Sequence, residues 1–585
     1  NPSAPVLTNP PQKETSAAKI ADAFTAYYKA LFAHKPTTRG AREAALRTLR
    51  KGNRVLPPTA QRCDENITVD EVLHVSAYLP AGKSPGPDRI PNQFYRSFAK
   101  IIAPILTAVF EESRDVGALP PSMLEGIISV LYKKKEREDP RNYRPITLLN
   151  GDYKIMMRIL TARMNEAVMQ FVSRDQNGFV PNSFIAENLL RLQLLQDLIE
   201  SEDQEAIYLF IDMEKAFDRC SWRFMKDGLE AIGFGADFIK FVSLAYSDET
   251  PPQRQMYVNG YLGAPFALSS GVAQGCPLSP LLFLIIAEPL ARLINDNPLI
   301  EGVKAGATAH KISQFADDTT LIMRPWDVVH CLAMLKIWER ATSMKENDAK
   351  REVLLLGSLR RNPTRVPREL LRNGVRPAPD GATIRALGVP IGNDFSNEGW
   401  WDTKYAEVKA RVGHWTGLGR LSLPGRNILL QSILYGCLRY WFFTLPVPVG
   451  LEMMIESDAR ELLWAASPAL QTNEKGTNTR ANRHMTEAAS YLPAKKGGGS
   501  IMHLESHVKA FQAQWIIKYL DPRDSPWKDV LDHWLLQDDG LGRGTLLRRG
   551  HTDQAYKLPL RSIHMRACLT AFANLGLAQD TSLLT

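Results

Sequence analysis

Lys311-Ile-Ser-Gln-Phe-Ala-Asp-Asp-Thr-Thr-Leu-Ile-Met323 is the stretch on which the fold turns. Residues 312–315 and 319–323 read as two strands. Between them Ala316, Asp317 and Asp318 read as a tight hairpin with two adjacent carboxylates at its tip. Asp is a poor strand residue and neighbouring anions repel. A hard divalent cation such as Mg²⁺ would turn that repulsion into attraction. Alone, the stretch is better read as an ordinary Asp-rich turn, since Asp-Asp is common in turns, so the rest of the chain must supply partners.

The first partner lies upstream. Ala206-Ile-Tyr-Leu-Phe-Ile211 is a continuous apolar run, as in a strand buried on both faces, and it ends in Asp212. A carboxylate at the end of a buried strand is costly unless paired. Asp212, Asp317 and Asp318 brought together would make a divalent-metal site. Residues 126–132 form an apolar, β-branched run, followed by Lys133, Lys134 and Lys135 and then by Pro140-Arg-Asn-Tyr-Arg-Pro-Ile146. This strand, basic turn and strand would gather the lysines and Arg144. Such a cluster suits a triphosphate, with Arg144 making planar bidentate contacts, and suits a basic surface hairpin equally well. In Leu268-Ser-Ser-Gly-Val-Ala-Gln-Gly-Cys-Pro-Leu-Ser-Pro280 two glycines allow close backbone approach to a ligand. Ser279 then caps a helix with Pro280 at its first position, running to about residue 294 and kinked at Pro289.

With 585 residues the chain exceeds what one core organises, so several subdomains are expected. Hydrophobic content of 44% and charged content of 23% describe a globular chain, and the net charge of +8 suits a polyanionic partner. Six scattered cysteines form no C-x-x-C pair, which argues against a zinc knuckle or disulfide framework and for a reducing intracellular setting. No apolar run is long enough to span a bilayer, and the longest is stopped by Glu288. The start at Asn1 and the abrupt end suggest a piece of a longer polyprotein. Helical patterns cover residues 16–32, 39–54, 68–79 (with Thr68-Val-Asp-Glu71 as a capping box), 93–116, 152–172 and 185–200. Arg39, Arg47, Arg50, Lys51 and Arg54 share one helical face, with Arg42 off its edge. Residues 360–376 form a loop with six arginines. Residues 386–392 read as a strand with a Gly/Pro turn, the chain beyond residue 403 reads as mostly helical, and Lys495-Lys-Gly-Gly-Gly499 as a flexible junction.

Taken together, Gly82-Lys-Ser-Pro-Gly-Pro-Asp88, Asn142-Tyr-Arg-Pro-Ile146, Gln176-Asn-Gly-Phe-Val180, Phe210-Ile-Asp-Met-Glu-Lys-Ala-Phe-Asp218, Gln274-Gly-Cys-Pro-Leu-Ser-Pro280, Phe315-Ala-Asp-Asp318, Leu387-Gly-Val-Pro-Ile-Gly392 and Gly497-Gly-Gly-Ser500 resemble, in order and spacing, the reverse transcriptase of non-LTR (LINE-type) retrotransposons. The resemblance runs from about residue 20 to 545. It implies an α+β right-hand polymerase with fingers, an antiparallel palm sheet, a thumb and a mostly helical C-terminal region. The expected division is an N-terminal helical extension at 1–59, fingers and palm at 60–392, a thumb at 393–480 and a helical extension at 481–585.

The activity it implies is RNA-directed DNA synthesis from a primer 3′-OH on an RNA template, with deoxynucleoside triphosphates as substrates and two Mg²⁺ ions, or Mn²⁺, as cofactors. Carried over residue by residue, Asp212 and Asp317 bind the metals and Asp318 supports them. Arg144 and Lys134 hold the triphosphate and Phe217 stacks under its sugar. Gln274 and Gly275 line the nucleotide and template side, and Lys350 acts on the leaving pyrophosphate. Residues 387–392 resemble the primer grip. Arg89 stands where glycine is usual, Ser183 where arginine is, and Ala386 where an aromatic is. An upstream endonuclease domain and a setting in cytoplasm and nucleus complete the expectation. A group II intron reverse transcriptase and a decayed or domesticated copy that binds RNA without catalysis are the rival readings.

Overall fold

The computed structural model describes residues 16–416, 421–464, 486–539 and 563–574, and shows a chain of mixed helix and sheet. The expected thumb and C-terminal extension therefore lie partly outside the described residues. The chain divides into two compact units. One holds residues 1–183, 210–301 and 311–351, and the other residues 184–209, 302–310 and 352–585. All six cysteines are unpaired. Among the described residues, no helix is long and apolar enough to cross a membrane.

In the first unit, Glu125–Tyr132 and Tyr143–Leu149 pair antiparallel, with Leu131 opposite Arg144 and Tyr132 opposite Tyr143. Glu125–Tyr132 also pairs parallel with Gln253–Val258. The basic turn is thus the tip of a long hairpin. The long helix Gly151–Phe171 buries Ile155, Ile159, Leu160, Met164, Val168 and Phe171, the apolar side read from its periodicity. Ser279–Asn295 is buried over almost its whole length. Its Glu288 pairs with Arg292 at 2.8 Å, and both backbone N–H and guanidinium donors around them find acceptors. Val328–Thr342 is tied to that helix through Trp338, whose indole N–H donates to Ile286 O at 2.7 Å.

Several local expectations need correction. Ser279 is the first helical residue, while Leu278 occupies the cap position and no side chain caps the end. The pattern at 93–116 is two helices, Asn92–Ser97 and Ala99–Val116, broken at Phe98. At Thr68 both arms of the capping box are present. Arg42, off the basic face of Arg39–Lys51, is buried against Asp227 at 3.4 Å. Arg89 has φ of 60°, so the turn keeps the left-handed conformation that the usual glycine adopts freely, at some strain to the larger residue.

In the second unit, Ile185–Ser201 carries Glu187, a buried carboxylate that accepts from Ser525 Oγ at 3.0 Å and pairs with Lys518 and Arg523. Residues 386–392 belong to a hairpin of Ile384–Ala386 and Val389–Ile391, turning at Leu387 and Gly388 with φ of 49° and 87°. Three of the six loop arginines meet carboxylates. Arg360 meets Glu200, Asp380 and Asp394; Arg361 pairs with Asp203 and Arg365 with Glu205. The segment 495–499 is a closed turn rather than a flexible junction. Ser500 N–H donates to Leu492 O at 2.9 Å and Ile501 N–H to Ser490 O at 2.9 Å, and Gly498 and Gly499 fit against neighbouring backbone.

Candidate active site

The aspartate hairpin consists of Ile312–Phe315 and Asp318–Met323, with Phe315 opposite Asp318. Its turn is therefore only Ala316 and Asp317, with Ala316 at φ of 56°. Asp318 is a strand residue, not part of the tip, because a two-residue loop with positive φ follows the twist of the flanking strands. Phe210–Ile211, the end of the strand leading to Asp212, lies in the same sheet next to Asp318–Met323. From opposite sides, the loop around Gln176 braces the hairpin. Gln176 Oε1 accepts from Ala316 N–H at 2.8 Å and Gly178 N–H at 2.7 Å, and Asn177 N–H donates to Gln314 O at 3.0 Å. A Cβ on Gly178 would stand 2.1 Å from Ala316 N, so only glycine allows this approach.

A cleft of about 1050 Å³ opens over this arrangement, lined by Asp212, Asp317, Lys133, Lys134, Arg144, Phe217, Gln274, Gly275 and Lys350. Asp318 is the one site residue expected from the sequence that does not line it. Lys134, Arg144 and Lys350 are exposed, as cations meeting a soluble polyanion must be. Gln274 and Gly275 are held against the arginine-bearing strand: Thr147 N–H donates to Gln274 O at 2.8 Å. Gly275 has φ of 140°, and a Cβ there would stand 2.3 Å from Thr147 O. Phe217 is half-buried, stacked on Phe283 with centroids 4.6 Å apart and met edge-on by Phe179 at 5.9 Å.

The electrostatics are those of crowded anions. Withdrawal from water, then the charge of Asp212, raises Asp317 above the usual carboxylate range. Withdrawal from water, then Asp317 and Asp212, pushes Asp318 up to about 6, although its side chain keeps surface exposed to solvent. Lys350 Nζ sits 2.7 Å from Asp212 Oδ2 and neutralises it. Among the described residues, no group of three or more His, Cys, Asp or Glu side chains is gathered closely enough to hold a metal ion. The three aspartates are neighbours, then, but not a closed cage. Two carboxylates facing a cleft fit Mg²⁺, which keeps several waters and takes further oxygens from substrate phosphates.

Some residues at the site were not singled out from the sequence. Asp218 is 1% exposed, accepts from Gln274 Nε2 at 3.2 Å on one oxygen, and its other oxygen has no hydrogen-bond partner. Burial pushes it up to about 7. Gln176, Phe179 and Lys215 entered only as parts of longer motifs. Nothing in spacing alone marks them, because their roles come from contacts between distant segments.

Residues 132–391, which include every one of these positions, match the family described as Reverse transcriptase (RNA-dependent DNA polymerase). The chain carries a reverse transcriptase domain. Among its relatives, the "Transposon TX1 uncharacterized 149 kDa protein" of Xenopus laevis is 26% identical over 82% of this chain and 35% of that protein. The Pol polyprotein of the type-2 retrotransposable element R2DM of Drosophila melanogaster is 27% identical over 41% of this chain and 22% of its own length. The "RNA-directed DNA polymerase from mobile element jockey" of the same fly is 27% identical over 44% of this chain and 27% of its own length. The chain thus spans about a third or less of these relatives. The resemblance to non-LTR retrotransposon reverse transcriptases drawn from the motifs holds, and the motifs from Asn142 to Asp318, with Leu387 to Ile391 of the last, lie within the matched residues.

Proposed function

We propose that this chain is an RNA-directed DNA polymerase of a non-LTR retrotransposon, extending a primer 3′-OH on an RNA template. The observation that carries the reading is the opening of Asp212 and Asp317 into one cleft with Lys133, Lys134 and Arg144, inside the matched reverse transcriptase domain. Residues 60–205 would serve as fingers, the sheet around Asp212 and the hairpin as palm, and residues 393–480 as thumb, flanked by helical extensions at 1–59 and 481–585.

In this reading the primer oxygen forms a new bond to the α-phosphorus while the bond to the leaving pyrophosphate breaks in line. Asp212 and Asp317, supported by Asp318, are the groups that would hold divalent ions. When bound, Mg²⁺ or Mn²⁺ supplies charge neutralisation and a more acidic primer hydroxyl. Arg144 and Lys134 orient the triphosphate, Phe217 carries its sugar, and Gln274 with Gly275 lines the nucleotide and template side. Lys350, 2.7 Å from Asp212 without substrate, would turn to the leaving phosphates as they gain charge. The partners are an RNA template, a DNA primer and deoxynucleoside triphosphates. The full protein would add an upstream endonuclease and work inside the cell, in cytoplasm and nucleus.

The test is primer extension on an RNA template with Mg²⁺. Asp212→Ala and Asp317→Ala should each lower extension by about a thousandfold or more while the protein stays folded. Near-normal extension by Asp212→Ala would overturn the assignment.

A further inference from the structure

The proposed reaction needs Arg144 held in one place, yet its guanidinium is exposed at the end of a long hairpin. Its strand is paired with Glu125–Tyr132, and the carbonyl just before it takes two further hydrogen bonds from outside that hairpin. Tyr143 O, in the peptide that leads into Arg144, accepts from Lys215 Nζ at 2.7 Å and from Tyr28 Oη at 3.3 Å. The two donors come from different places. Tyr28 lies in the helix Ala17–Leu31 and is fully buried; Lys215 lies between Asp212 and Phe217. The Tyr143 side chain is fixed as well, donating from Oη to Arg137 O at 2.8 Å and meeting Phe24 edge-on at 5.0 Å.

Lys215 is built into the backbone in an unusual way. It has φ of 51° and begins the one-turn helix Ala216–Arg219, so the chain reverses at this residue between Asp212 and the aromatic ring of Phe217. A non-glycine residue in this conformation is strained, and such strain collects at functional sites. Its ammonium is half-buried, lies over the Tyr28 ring at 6.0 Å, and makes no ion pair among the described residues; its acceptor is a neutral carbonyl. Its charge faces the buried Asp218 carboxyl at longer range, while the one hydrogen bond it makes goes to the Tyr143 carbonyl rather than to a carboxylate.

We propose that Lys215, seconded by Tyr28, is a positioning residue for the incoming triphosphate, fixing the peptide of Arg144 relative to Asp212 through the Tyr143 carbonyl. This rests on the polymerase reading above. Lys215 acts through Arg144 and does not itself touch the substrate. It ties the strand that meets the phosphates to the turn that joins the first aspartate to the sugar-facing ring, so all three parts keep one geometry.

The experiment is a double-mutant cycle in the whole chain, read by steady-state extension and by pyrophosphate inhibition. Lys215→Met should raise KM for the deoxynucleotide and the inhibition constant of pyrophosphate together, each about tenfold, as for loss of one charged hydrogen bond. Primer–template affinity should stay unchanged, and Lys215→Arg should recover much of the loss. Arg144→Ala should raise the same two constants, and adding Lys215→Met to it should cost little more, because coupled residues are not additive. If Lys215→Met proves unfolded by its melting transition, Tyr28→Phe removes one hydroxyl and should move both constants the same way by roughly threefold. Wild-type constants in folded Lys215→Met, or full additivity with Arg144→Ala, would overturn the positioning role. Absence of RNA-templated extension by the wild type would instead overturn the polymerase reading.

Discussion

At the scale of single residues, the cleft depends on side chains whose neighbours the sequence does not display. Phe217 has a floor in Phe283 and a wall in Phe179, so it is a fixed surface rather than a mobile ring. An aromatic face under a sugar leaves a 2′-hydroxyl without space or partner, worth roughly 1–3 kcal/mol against the ribonucleotide. Phe217→Val should therefore raise the ribonucleotide-to-deoxynucleotide ratio of kcat/KM by about tenfold or more while sparing much of the deoxynucleotide reaction. An unchanged ratio in a folded variant would return Phe217 to the core. Asp218 offers a test of a different kind. Its carboxyl rises from 3.8 to about 7 on folding, so the folded state holds a proton that the unfolded state releases. Stability is then lost as pH climbs from about 4 to about 7, and the charged form carries the full penalty above that. Asp218→Asn keeps an acceptor for Gln274 and removes the charge. It should be more stable than the wild type at pH 8.5 by up to a few kcal/mol and nearly equal to it at pH 4. Urea unfolding at both pH values reads the difference.

At the scale of elements, the aspartate hairpin is held by the loop around Gln176. Its amide satisfies two backbone N–H groups at once, one on the loop and one on the turn, and the ring so closed places Asp317. Gln176→Ala leaves both donors buried, at a cost of about 1–3 kcal/mol each unless water enters. The melting temperature should fall by several degrees, and extension should fall further than the lost stability explains. Equal extension per folded molecule would reduce Gln176 to a packing role. The sheet edge behaves likewise. Gly275 has no room for a methyl group against Thr147 O, so Gly275→Ala should push the loop off the strand and raise KM for the nucleotide.

For the whole molecule, the net charge of +8 is unevenly employed. Arg360, Arg361 and Arg365, which composition alone would assign to nucleic acid, face carboxylates of their own unit. Lys133, Lys134 and Arg144 border the cleft. Affinity for primer–template should fall steeply with salt, and the slope should shrink by about 0.7–0.9 for each phosphate-contacting cation removed. Lys133→Ala with Lys134→Ala should lower that slope, whereas Arg361→Ala with Arg365→Ala should leave it nearly unchanged. The reverse order would move the nucleic-acid surface to the second unit.

Much of this was legible without coordinates. The apolar run ending in Asp212, the hairpin around Asp317, the capping box at Thr68 and the strand–turn–strand around Lys133 are local patterns, and local patterns are set by periodicity and backbone chemistry within a few residues. The ordered motifs were enough to point to a reverse transcriptase domain. Tertiary structure alone decided which side chains meet. It put Asp318 outside the cleft by closing the turn in two residues. It set Arg360, Arg361 and Arg365 against acids from residues 200–205 and beyond, and placed Gln176 under the turn and Lys215 against Tyr143. These contacts join segments far apart in the chain. They depend on distances and burial in the folded state, and no short-range pattern encodes them.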